Sequence, residues 1–126
     1  PDARVAGGWV AYLHVEQGPQ GGWITEVRLR APGFAGAPPA YSERVSTQGG
    51  RALLEALSPD GTVVYRQGVL NGTTWTFPRR YISPRGGPVV DAGPASESTL
   101  NPERVIWKDG DFYLLKPDGS VHALSW

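Results

Sequence analysis

Apolar and polar residues alternate along much of this chain, which is the pattern of β-strands with one buried face. The alternation is clearest in two segments, Gly8 to Glu16 and Trp23 to Arg30. In the first, we expect Trp9, Ala11, Leu13 and Val15 to face the core. In the second, we expect Thr25, Val27 and Leu29 to face the core and Glu26, Arg28 and Arg30 to face solvent.

Two Pro-Asp-Gly sequences, Pro59–Gly61 and Pro117–Gly119, interrupt the apolar pattern at similar points. Proline presets the backbone for a type I turn, aspartate can bind the backbone of its own turn, and glycine adopts the left-handed conformation that closes a bulged hairpin. Both sequences therefore predict β-hairpins. Asn71-Gly72 predicts a third hairpin, of the two-residue type.

The segments around these turns complete a list of short strands. Arg51 to Leu57 has a composition that a helix could use, but it is short and runs directly into the first Pro-Asp-Gly turn, so we interpret it as a strand. Thr62 to Leu70 is its return strand, and Arg44 to Thr47 predicts a short edge strand. Ala31 to Ala40 contains three prolines and predicts a surface loop.

The second half of the chain divides into an irregular part and a regular part. Strand pattern continues through Trp75 and Phe77 and ends at Pro78. Arg79 to Pro102 is rich in Pro, Gly, Ser and Arg and predicts an extended crossing or a functional loop, in which only Val89 and Val90 pair. The remaining segments, 104–108, 111–116 and 120–125, predict a three-stranded meander.

These elements predict an all-β protein with eight to ten short strands and no helix. Turn signals at this spacing are typical of sandwiches and small barrels. We expect a single domain over residues 1–126, built as one antiparallel β-sandwich of the immunoglobulin or fibronectin type. A chain of this length supports one hydrophobic core.

Composition restricts the classes of partner. The twelve basic and twelve acidic residues cancel, so no overall field attracts nucleic acid or an anionic membrane. Cysteine is absent, which excludes disulfides and thiolate metal sites. No apolar run approaches the length of a membrane-spanning helix. We expect an extracytoplasmic location, secreted or in the cell envelope, with a cytoplasmic one as the alternative.

The chain contains no recognisable catalytic or cofactor motif. Nucleophile elbows are absent, and the two histidines, His14 and His122, lie in predicted strands without a second ligand nearby. Asp109, Asp111 and Asp118 crowd two neighbouring turns, but Asp before Gly is the ordinary residue of a turn. We therefore predict no catalytic residues, no metal site and no cofactor.

One segment combines aromatic and basic residues in a way that no other does. It runs from Trp75 to Arg85, and its candidate binding residues are Trp75, Arg79, Arg80, Tyr81 and Arg85. Aromatic faces and guanidinium groups together suit a planar or anionic ligand. The alternative is a solvated loop with incidental arginines.

These observations favour a non-enzymatic binding module or structural assembly module, such as an adhesion, envelope, pilus or phage-type accessory domain, with a protein or saccharide partner. Five tryptophans are many for one small core and favour an exposed aromatic site. The alternatives are a small hydrolase that gathers carboxylates in space and a saccharide-binding domain of an enzyme.

Overall fold

The computed structural model describes residues 3–31 and 42–124, and they form eleven strands and no helix. The all-β prediction is therefore confirmed. Paired strands in these residues are antiparallel throughout. The strands are β1 Ala3–Ala6, β2 Trp9–Gln17, β3 Trp23–Arg30, β4 Ser42–Arg44, β5 Ala52–Leu57, β6 Val63–Asn71, β7 Thr74–Ser83, β8 Val90–Pro94, β9 Arg104–Lys108, β10 Asp111–Leu115 and β11 Val121–Ala123.

The strands form three separate sheets, and each sheet consists of consecutive strands. Sheet A has the order β1-β2-β3-β4, sheet B has β5-β6-β7-β8, and sheet C has β9-β10-β11. The predicted C-terminal meander is sheet C. An immunoglobulin-like or fibronectin-like sandwich is not confirmed, because such sandwiches connect their sheets by Greek-key crossings and these three sheets are simple meanders.

Sheet B lies between the other two sheets and has a core on each face. One core joins it to sheet A and includes Ala11, Val27 and Leu29 against Leu54 and Val63. The second core joins it to sheet C and consists of Ala56, Val64, Ile82, Val105, Phe112 and Leu114. The alternation along β5 and β6 divides their side chains between the two cores.

The predicted hairpins form at both Pro-Asp-Gly sequences. Gly61 and Gly119 have φ values of 86° and 90°, which are left-handed conformations that suit glycine. The Gly61 amide donates to the Ser58 carbonyl at 3.0 Å, and the Gly119 amide donates to the Lys116 carbonyl at 3.0 Å. The two turns occupy different places, however: the first joins β5 to β6, and the second joins β10 to β11.

Several sequence-based boundaries need correction. Arg51 to Leu57 is confirmed as a strand from Ala52, whereas the short strand expected at 44–47 lies at Ser42–Arg44. Strand β1 was not predicted. The loop expected over 31–40 lies outside the described residues, except for Ala31.

Glu26 is the clearest error in the predicted faces. We expected it to face solvent, yet it is only 2% exposed. Its Oε2 accepts the Gly49 amide at 3.1 Å, and its Oε1 accepts a hydrogen bond from Arg28 at 3.2 Å. These donors lower the pKa of Glu26, although burial acts in the opposite direction and is the largest single influence.

Candidate functional site

The strand predicted through Trp75 and Phe77 is confirmed, but it continues through residues 79–83, which their composition had assigned to an irregular crossing or loop. Strand β7 passes through Pro78 and continues to Ser83, paired with β6 on one side and β8 on the other. The register shifts at Phe77 and Pro78, where two residues of β7 oppose Gly68 alone. Proline is tolerated there because the extra residue of a β-bulge is left unpaired, so the ladder needs no N–H donor at that position.

The five candidate binding residues do not form one cluster. Arg79 is exposed and makes a two-pronged ion pair with Asp91, with Nε to Oδ2 at 3.0 Å and Nη2 to Oδ1 at 3.1 Å. This hydrogen bond is the main cause that lowers the pKa of Asp91. Tyr81 stacks on Tyr65 with 5.8 Å between ring centroids. Arg85 lies over the Trp9 ring at 4.4 Å.

Arg80 has a buried structural partner. It is 1% exposed, and its Nε and Nη2 donate to the two oxygens of Glu55 at 2.6 and 3.1 Å. Arg66 lies 3.2 Å from the same carboxylate, and Glu103 lies 3.6 Å from Arg80. The four charges cancel. The Arg80 guanidinium is therefore engaged by carboxylates of the protein between sheets B and C, and it does not face a ligand in solvent.

Trp75 lines an open groove, here called the aromatic groove. This cavity of about 580 Å³ lies between the sheet C side of sheet B and the segment that follows β8. Its lining residues are Leu53, Leu54, Glu55, Arg66, Trp75, Phe77, Ser96, Glu97, Ser98, Thr99 and Pro102.

The bulge in β7 and the absence of a side chain at Gly68 create this groove. Because the register shifts at Phe77, Trp75 comes to lie on the same side of sheet B as Arg66. A Cβ on Gly68 would lie 3.0 Å from Trp75 Cε3 and 3.1 Å from Phe77 Cε1. Only glycine therefore lets both rings lie directly over β6. A glycine inside a strand pattern was the sequence signal for this close approach.

The opposite wall of the groove is held by the buried charges. Arg66 Nη1 donates to the Ser96 carbonyl at 2.5 Å, and the Ser96 amide donates to Glu103 Oε1 at 2.8 Å. Glu97 Oε1 accepts the Phe77 amide at 2.5 Å. The segment 96–98 is thus fixed relative to the aromatic rings, and the groove is formed before any ligand arrives.

Several polar groups of the groove already make hydrogen bonds within the protein. Glu97 binds the Phe77 amide, Arg66 binds Ser96, and Ser98 Oγ accepts the Asn101 amide at 3.0 Å. Apolar surface from Leu53, which is 41% exposed, and from the two rings remains available. The groove therefore suits an apolar group better than a ligand that needs many hydrogen bonds.

The described residues offer no metal centre. They include no group of three or more His, Asp or Glu side chains placed to hold an ion. Asp118 instead accepts the Ser120 amide at 2.8 Å and the Ser120 hydroxyl at 2.6 Å. Within 3–31 and 42–124 there is also no helix of the length and hydrophobicity needed to cross a bilayer.

Comparisons with known proteins assign no family to the chain. No family model, curated protein or solved structure matches it.

Proposed function

We propose that this protein is a non-enzymatic binding module that holds an extended peptide segment of a partner protein in the aromatic groove. The observation that carries the proposal is the pair Trp75 and Phe77, lying side by side over Gly68 and facing a wall tied down by Arg66. Rigid aromatic rings give much contact area at a low cost in conformational entropy.

A peptide is favoured over a saccharide by the polar groups of the groove. A saccharide needs several donors and acceptors around its ring hydroxyls, whereas Glu97 and Ser98 already give part of their hydrogen-bonding capacity to backbone amides of the protein. A peptide needs an apolar pocket for one or two side chains, and Leu53, Trp75 and Phe77 supply it. The location outside the cytoplasm stays a prediction.

The test is selection of a phage-displayed random peptide library on the purified protein, followed by affinity measurement on variants. We expect Trp75→Ala and Leu53→Asp each to weaken the selected peptides by about tenfold or more. Trp23→Ala is the matched control, because Trp23 is 58% exposed and lies outside the groove. Leu53→Asp changes an exposed residue, so its effect is separable from misfolding.

A glycan array with the same variants tests the saccharide alternative. Enrichment of glycans whose binding depends on Trp75, with no peptide enriched, would replace the peptide proposal. Peptide binding that survives both groove substitutions at unchanged melting temperature would place the site elsewhere.

A further inference from the structure

A second cleft opens on the sheet A side of sheet B, and it is here called the tyrosine cleft. It has a volume of about 330 Å³. Its described lining residues are Val45, Ser46, Thr47, Tyr65, Gln67, Tyr81 and Val89. Tyr65 belongs to the core that joins sheets A and B, and Tyr81 packs against that core. The tyrosine cleft and the aromatic groove therefore lie on opposite faces of sheet B.

The Tyr65 side chain is buried, yet its hydroxyl makes no hydrogen bond with the described residues. Tyr65 is 4% exposed. Within the described part of the chain, Arg28 Nε is the only unbonded polar side-chain atom that is sealed from solvent. The Tyr65 hydroxyl must therefore reach open space, and the tyrosine cleft is the cavity that Tyr65 lines. A polar group at this depth needs a partner from outside the protein.

The Tyr65 hydroxyl keeps its proton over the physiological range of pH. Burial is the main cause that raises the pKa of Tyr65, and the neighbouring Tyr81 raises it further. A protonated phenol both donates and accepts a hydrogen bond.

Three further hydroxyl groups line the tyrosine cleft. Tyr81 pairs with Tyr65 across the two strands, and their rings are nearly parallel at 25°, so the two phenols lie side by side. Ser46 is 5% exposed, and its Oγ accepts the Val27 amide at 2.9 Å, which leaves its own hydrogen to be donated. Thr47 supplies the fourth hydroxyl. The tyrosine cleft thus presents hydroxyl groups beside two aromatic rings.

Gln67 fixes the wall of the tyrosine cleft in place. Its Oε1 accepts the Thr47 amide at 3.2 Å, and its Nε2 donates to the Arg51 carbonyl at 2.9 Å. The segment 46–47 is therefore tied to sheet B through Gln67 and to sheet A through Ser46. A ligand meets a cleft that is already formed, so little ordering opposes binding.

The described lining residues of the tyrosine cleft carry no charge. Charged residues line a neighbouring cleft that shares Val45 and Val89 with this one, and they are Glu43, Arg44 and Arg85. An ionic ligand would lose its hydration in the tyrosine cleft without meeting an opposite charge. A purely apolar ligand would displace water from the hydroxyl groups and leave them unpaired. The lining therefore favours an uncharged ligand that carries hydroxyl groups of its own.

We infer that the tyrosine cleft binds one ring of an uncharged saccharide. Sugar hydroxyls donate and accept, as the hydroxyls of Tyr65 and Ser46 do, and the C–H face of a sugar ring packs on an aromatic ring. The volume lies near the lower end of ligand pockets, which suits a single ring. This site is separate from the peptide site proposed in the aromatic groove.

The experiment follows the amide chemical shifts of the isotope-labelled protein during titration with glucose, galactose, mannose and N-acetylglucosamine. Each sugar is taken to about 50 mM, because a site for a single ring has a dissociation constant on the order of millimolar. We expect at least one sugar to shift the amides of residues 45–47, 65–67 and 81. Benzamide and glucuronate are titrated in parallel as an aromatic probe and an anionic probe.

Tyr65→Phe removes only the hydroxyl and should weaken the bound sugar by about three- to tenfold, which is the loss expected for one hydrogen bond. Its melting temperature should not fall, because the hydroxyl has no protein partner to lose. Tyr113→Phe is the matched control, since Tyr113 lies in β10 of sheet C, and it should bind the sugar as the wild type does. Trp75→Ala should also leave sugar binding unchanged.

Three outcomes would overturn the inference. They are the absence of shifts with all four sugars, binding that is equal in Tyr65→Phe and the wild type, and shifts at these amides with benzamide or glucuronate but with no sugar. Sugar binding that is lost in Trp75→Ala and retained in Tyr65→Phe would place the saccharide in the aromatic groove instead. Peptide selection is read out separately, so either proposal can fail while the other holds.

Discussion

Arg80 and Glu55 form a two-pronged ion pair in the layer between sheets B and C, with nitrogen–oxygen distances of 2.6 and 3.1 Å. The arginine side chain is 1% exposed and that of the glutamate 10%. Glu55 occupies the position where the register of β5 against β6 shifts between Leu54 and Ala56. The bulge thus supplies the extra residue whose carboxylate reaches the arginine.

Loss of this pair should destabilise the protein strongly. Arg80→Ala leaves Glu55 and Glu103 in a nearly dry layer with Arg66 as the remaining nearby cation, and removal of one partner from a buried pair costs about 3–5 kcal/mol. Arg79→Ala is the adjacent control and should change stability little, because its pair with Asp91 is exposed. Urea denaturation measures both; equal effects would contradict the assigned role of Arg80.

The two turn glycines should differ in their tolerance of a side chain. Gly119→Ala meets no atom within 4 Å, so only the left-handed backbone makes it unfavourable, by about 1 kcal/mol. Gly61→Ala should cost more, because its Cβ would also lie 3.0 Å from Arg85 and 3.3 Å from the Trp9 ring. Melting temperatures of the two variants test the order, and a more damaging Gly119→Ala would reverse it.

Gly68→Ala should disturb the aromatic groove directly. The new Cβ would lie 2.8 Å from the Arg51 carbonyl oxygen, which also accepts the Gly68 amide at 2.6 Å, so the backbone must shift as well as the rings. Overpacking of this kind costs about 1–3 kcal/mol. Tryptophan fluorescence should change because Trp75 moves, and an unchanged spectrum at unchanged stability would disprove the close packing.

Acid should weaken the protein partly through Glu26. Its pKa in the folded state is below its ordinary value, so the unfolded chain binds the proton more tightly. The stabilisation is present above the ordinary pKa and is lost as the pH falls below about 4. Between about pH 6 and about pH 3, which spans the ordinary pKa of a glutamate, Glu26→Gln should therefore lose less unfolding free energy than the wild type loses.

Part of the acid sensitivity will remain in Glu26→Gln. The pKa of Asp60 is lowered chiefly by the Ser58 hydroxyl, and the pKa of Asp118 is lowered chiefly by the Ser120 hydroxyl. Both carboxylates act in the same direction as Glu26. If the unfolding free energy of Glu26→Gln depends on pH in the same way as that of the wild type, Glu26 does not make the hydrogen bonds to Gly49 and Arg28 described above.

Local chemistry in the sequence was sufficient for the strands and turns. Alternation identified the strands over 9–17 and 23–30, and the Pro-Asp-Gly sequences identified two hairpins because their turn conformations depend on three or four adjacent residues. The sequence also shows directly that the charges cancel and that cysteine is absent.

Tertiary structure decided everything that depends on register between distant strands. The arginine-rich stretch after Pro78 reads as a loop by composition, yet β6 and β8 pair with it and Glu55 neutralises Arg80 from 25 residues away. The two Pro-Asp-Gly turns look like copies of one repeat in the sequence. In the structure they lie in different places, because the first joins strands one and two of sheet B and the second joins strands two and three of sheet C. Local propensity depends on neighbouring residues and does not identify partners that only folding brings together. The sequence alone therefore determined the class of the fold, whereas tertiary packing determined the arrangement of the sheets, the buried charges and the groove.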